Sequence, residues 1–184
     1  MKTRQKLFTS MMAMAFGATL LQSCKKEPDP NEEGELITSV RIQLVDSANS
    51  TNTLTFSFRD LDGDNANAPV QFDSIELEAN HTYYASMELL DESKNPVESI
   101  TEEIIEEADD HLFVYKPNPS SLVNIQITDK DSKNLPLGVL STWRTNSVGR
   151  GAVTVVLKHQ PGVKNGTEAP GDTDVEVEFT TIVR

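Results

Sequence analysis

The chain has one cysteine among 184 residues, three histidines, one tryptophan and nearly twice as many acidic as basic side chains (29 against 16). Each scarcity excludes something. A single thiol, Cys24, cannot close an internal disulfide, and without further cysteines no Cys-rich zinc module can form. A formal net charge of −13 repels nucleic acid and anionic lipid headgroups, so neither phosphate tracking nor a basic membrane patch is available to this protein. Its longest apolar stretch, residues 7–21, is shorter than the roughly 20 residues that a membrane-spanning helix needs. No Gly-x-Ser-x-Gly elbow and no Walker or dinucleotide glycine loop occurs, and the abundance of carboxylates makes any acid pair uninformative, so no enzymatic activity is expected. Assembling a triad from Ser141, His159 and an aspartate has no support in spacing.

The N-terminus supplies the first positive signal. Lys2, Arg4 and Lys6 precede the apolar run, and Leu21-Gln22-Ser23 lead into Cys24, which is the layout of a bacterial lipoprotein signal. Residues 1–23 are therefore expected to be a removed signal peptide, with Cys24 the lipidated first residue of the mature chain. The competing reading is cleavage near Ala18 with Cys24 left as a free thiol. Acyl chains at about 0.8 kcal/mol per buried CH₂ would hold such a protein on a membrane without any basic patch. The first 23 residues hold three of the basic side chains and no acidic one, leaving a net charge of −16 on the remainder. Residues 24–35 carry two prolines, several carboxylates and no aliphatic or aromatic side chain, the composition of a flexible acidic spacer.

From Leu36 to the end the pattern has period two. Val40, Ile42 and Leu44; Leu54, Phe56 and Phe58; Ile75 and Leu77; Tyr83, Ala85, Met87 and Leu89; Val123, Ile125 and Ile127; Val153, Val155 and Leu157; and Val175, Val177, Phe179 and Thr181 each recur at every second position. Asn, Asp, Gly and Pro cluster between the runs. Such a rhythm predicts an all-β fold over 36–184, a single antiparallel β-sandwich of seven to nine strands, Ig-like or transthyretin-like. One stretch breaks it. Ser99–Asp110 places Ile100, Ile104 and Ala108 four apart, with Ser99 and Glu102 spaced as a capping box, predicting a short helix whose polar side is almost wholly carboxylate.

Several constellations point to cations. If that helix continues past Asp110, Glu103, Glu107 and His111 fall four apart on one face, and His159 completes a set suited to a divalent metal such as zinc, iron or manganese. His81 is a weaker candidate. The alternative is a solvated acidic face with His111 at its boundary. Asp60, Asp62 and Asp64, around Gly63, offer hard oxygens to calcium. The position where an EF-hand needs glutamate is Gln71, which leaves either a small calcium loop or a plain turn. Asp129, Asp131 and Asn134 form a looser version diluted by Lys130 and Lys133. Trp143 is either core or a stacking platform.

Four strings carry a resemblance: 34–40 (GELITSV), 56–64 (FSFRDLDGD), 100–104 (ITEEI) leading to Asp110-His111, and 157–161 (LKHQP) before 174–177 (DVEV). The chain resembles a family of small Bacteroidota lipoproteins over nearly the whole mature sequence. The resemblance implies a cell-envelope β-domain associated with a TonB-dependent outer-membrane receptor, and it assigns no catalytic residue. The combined expectation is a binding protein anchored to the outer membrane, on either of its faces, that takes a metal ion or metal complex. The alternative is a structural or adhesive surface lipoprotein without a small ligand.

Overall fold

The computed structural model describes residues 36–61 and 68–184. The expected signal peptide, the lipidation site Cys24, the spacer 24–35, and Asp62 and Asp64 of the calcium reading lie outside the described residues. The described residues form one compact unit, and no helix among them is long and apolar enough to cross a membrane.

The fold is an all-β sandwich with one small helix. In the larger sheet, β1 (Ser39–Asp46) lies between β2 (Thr53–Arg59) and β5 (Thr82–Asp91). The edge pairs β3 (Gln71–Phe72) with β2, and β9 (Leu140–Thr145) joins β5 to β8 (Val123–Ile127). The two-residue β6 (Glu98–Ser99) also pairs with β5. The smaller sheet runs β4 (Ile75–Leu77), β11 (Asp172–Val183), β10 (Gly149–His159), β7 (His111–Asn118). All pairings between these strands are antiparallel except β4 with β11, which is parallel, so the smaller sheet is mixed. Nine strands have three or more residues; β3 and β6 are too short to produce a periodic signal.

Alternation delivers the core as expected. Val40, Ile42 and Leu44 of β1 and Tyr83, Ala85, Met87 and Leu89 of β5 face Val153, Val155 and Leu157 of β10 and Val177 and Phe179 of β11 in one apolar cluster. Trp143 is fully buried there, donating Nε1–H to Ser141 Oγ at 2.9 Å and meeting Tyr115 edge-on, which settles it as a core residue. Leu54, Phe56 and Phe58 pack against the cluster from the flank.

The helix is shorter than its pattern suggests. Helix α1 spans Ile100–Glu106 and buries Ile100 and Ile104. Ser99 takes the N-cap position with extended backbone, but its side chain makes no capping bond. Thr101 does the anchoring: its Oγ1 accepts from the Leu89 N–H at 2.6 Å and so ties the helix to β5. Nothing basic sits in the last turn to offset the carbonyl end of the helix. The chain turns through Glu107–Asp110 instead, and His111 opens β7.

Candidate metal site

The turn after α1 is fastened on three sides. Asp109 accepts from the Ser132 hydroxyl at 2.8 Å. The Asp110 carbonyl accepts from Gln160 N–H at 2.6 Å, and its carboxylate from Gly162 N–H at 3.2 Å. Lys164 Nζ donates to the Ala108 carbonyl at 2.7 Å and meets Asp131 Oδ2 at 2.8 Å, with both side chains almost wholly removed from solvent. Contacts of this kind fix where Glu107 and His111 stand.

His111 pairs directly across the sheet with His159. Their rings stack with centroids 4.8 Å apart and planes inclined by 9°. Phe113 and Leu157, the next pair on the same face, are core residues, so the two imidazoles sit at the end of the core-facing side of the smaller sheet. His111 is buried, His159 half-buried and Glu107 exposed. One ligand atom from each of the three lies within 4.8 Å of the others.

His111 Nδ1 is 3.2 Å from the Glu107 carbonyl oxygen. A carbonyl only accepts, so this contact calls for the hydrogen on Nδ1 and leaves the Nε2 lone pair free. Histidines that bind metals are held in this way, by a hydrogen bond from the other ring nitrogen to a carbonyl or carboxylate. Two imidazoles and one carboxylate, with no sulfur, suit zinc and other divalent first-row ions rather than copper(I) or calcium.

Two acids that pattern reading did not single out also border the pair. Asp172 lies directly across from His159 on β11. Asp174 is two residues further, solvent-exposed and outside the three-residue group, and its carboxyl is raised from its ordinary value, first by partial loss of hydration. The charges of His159 and His111 act in the opposite direction, and Asp172 reinforces the rise. The run Asp172-Thr173-Asp174 was visible in the sequence, but its register against His159 was not.

The other candidates go elsewhere. Glu103 remains on the helix, where its carbonyl accepts from Glu107 N–H at 2.8 Å, and it is not part of the group. The helical spacing that linked it to His111 is not realised, because the helix ends at Glu106. His81 stands between Asp46 (3.5 Å) and Glu78 (3.6 Å). Asp60 is buried, its N–H donating to the Thr38 carbonyl at 2.8 Å. The carboxylates of the looser loop are taken by backbone donors: Asp129 accepts from Gly138 and Leu140, and Asp131 from Lys133 and Leu135.

Comparison of the chain with protein-family models, with curated proteins and with solved structures finds no match.

Proposed function

We propose that this protein is a lipid-anchored binding protein of the cell envelope that takes a divalent first-row metal ion, zinc foremost, through His111, His159 and Glu107. The observation that carries the metal reading is the placement of two facing imidazoles and a carboxylate within 4.8 Å of one another, one imidazole already oriented by a backbone carbonyl. The anchor is supported by the Lys2-to-Cys24 layout, and the handing of the ion to a TonB-dependent receptor by the resemblance of the local strings.

An ion that binds only the folded state stabilises it by RT ln(1 + [L]/Kd), about 2.7 kcal/mol at one hundred times Kd. In a domain of this size that raises Tm by about 5–10 °C. The test is to melt the mature protein with zinc, manganese, nickel, iron(II) or calcium. Zinc is expected to shift Tm and calcium to leave it, and Glu107→Ala with His111→Ala should abolish the shift. A melting curve indifferent to every ion, or a zinc shift that survives the double substitution, would refute the metal reading. Mass spectrometry of the protein from its native host tests the anchor, which requires an acylated Cys24 at the N-terminus.

A further inference from the structure

The outward face of the larger sheet carries a groove of about 660 Å³ that nothing described so far uses. That volume is within the range of small-ligand sites. Its floor is the polar half of the alternation in β1, β2 and β5. Gln43 lies directly opposite Thr55 on one side and Ser86 on the other, and Arg41, two residues along β1, lies opposite Glu88. Residues two apart on a strand, and residues paired across strands, share a face, so these five side chains meet on one surface. The passage from β6 into α1 borders the groove with Ser99 and Glu102. Arg41 and Glu88 hold each other in an ion pair. The side chains of Gln43, Thr55, Ser86 and Ser99, by contrast, make no hydrogen bond to any described residue. Next to the groove the same face turns apolar. Leu140 on β9 lies opposite Ser86, and Tyr84, two residues before Ser86 on β5, is 59% exposed.

The charges narrow the class of ligand. Arg41 on the floor disfavours a cation, while Glu88, Glu102 and the net charge of −13 disfavour an anion. An extended peptide would pair with a free strand edge, and here β1 and β5 are bonded to neighbours on both sides, so only side chains are on offer. Amide and hydroxyl side chains both donate and accept. They suit an uncharged ligand rich in groups that do the same, and Tyr84 with Leu140 suits one that also has an apolar face. A sugar ring meets both demands, with hydroxyls at its edge and C–H groups on its face. We infer that the groove binds a neutral carbohydrate. Gln43, Thr55 and Ser86 meet its hydroxyls, the Arg41–Glu88 pair presents a donor beside an acceptor, and Tyr84 covers the C–H face of a ring that projects from the groove. His111 and His159 belong to the smaller sheet, so this inference draws on neither the metal reading nor the anchor.

The experiment screens the mature protein, with EDTA present, against an array of neutral and acidic oligosaccharides and titrates the strongest neutral one by calorimetry. Wild type should bind neutral members and leave acidic ones. Tyr84→Ala and Gln43→Ala should each weaken binding about tenfold or more, the effect of one lost ring contact or one set of hydrogen bonds. Tyr84→Phe keeps the ring and should stay within about twofold of wild type. Val148→Ala, at a residue 72% exposed and outside the groove, should do the same. Tyr84 and Gln43 are exposed, so their variants should melt with wild type and report on binding alone. Failure to bind any neutral oligosaccharide, a preference for acidic ones, or unchanged affinity in Tyr84→Ala or Gln43→Ala would overturn the assignment. A loss in Val148→Ala matching that in Tyr84→Ala would overturn it too, by showing general surface adhesion. So would binding that appears only when EDTA is left out, since the groove would then not act apart from a metal.

Discussion

Lys164→Met is the sharpest probe of how the site is held in place. Lys164 Nζ has two partners, the Asp131 carboxylate at 2.8 Å and the Ala108 carbonyl at 2.7 Å, and its side chain is 1% exposed against 0% for Asp131. Oδ2 of Asp131 has no other partner among the described residues, so Lys164 is its whole compensation. Breaking a buried pair from one side strands the remaining charge and costs about 3–5 kcal/mol. Because Oδ1 keeps the N–H groups of Lys133 (2.9 Å) and Leu135 (2.8 Å), the lower end applies. We expect a loss of about 3 kcal/mol in urea unfolding and a Tm lower by about 6–12 °C. Burial pushes the Asp131 carboxyl up, while Lys164 and the two N–H donors bring it below its ordinary value. Without Lys164 it can relieve the cost by taking a proton, so the penalty should shrink as pH falls towards about 4.

Two further measurements separate the ion pair from mere loss of packing. Combining Lys164→Met with Asp131→Asn should recover most of the stability, giving a strongly non-additive cycle. Zinc affinity should fall in the single variant, since the carbonyl that Lys164 holds belongs to the residue after Glu107. A loss below about 1 kcal/mol, or additive effects in the cycle, would refute the assignment of the pair as the fastening of this turn.

Acid stability is expected to depend on Glu92, whose carboxyl is drawn down from 4.5 to about 2 by hydrogen bonds from Arg59 and Ser39. A depressed folded-state value contributes stability that is complete above the unfolded value and is lost as pH falls from about 4.5 to about 2. Screening by the water that reaches Arg59 reduces this to about 1–2 kcal/mol, and Glu92→Gln should flatten that limb of the pH–stability curve; an unchanged limb would contradict it. Gly171 and Gly162 both have positive φ (75° and 68°), but a Cβ on Gly171 would lie 2.1 Å from the His159 carbonyl oxygen whereas one on Gly162 meets nothing within 4 Å. Both alanine variants therefore carry a left-handed backbone cost of about 1–2 kcal/mol. Only Gly171→Ala should displace His159 and weaken zinc binding as well, and equal zinc affinity in the two would count against it.

How much of this was readable beforehand follows from which groups each side chain had to satisfy. Strands with one dry and one wet face announce themselves, and β1, β5 and, from Val177 onward, β11 bury the residues their alternation marks. Strand β7 was not legible because Leu112 and Phe113, which point to opposite faces, are both buried. Strand β9 was hidden for the converse reason: Ser141, Thr142 and Thr145 are buried polar residues around Trp143. The site shows the same division. Glu107 and His111 were found through a helical spacing of four that the chain does not use. They meet because a tight turn carries His111 into a strand beside His159, and Glu103, which depended on the helix alone, drops out. Residue types alone could therefore nominate a cation site in so acidic a chain, but only the sheet decides which of its many carboxylates the two imidazoles face.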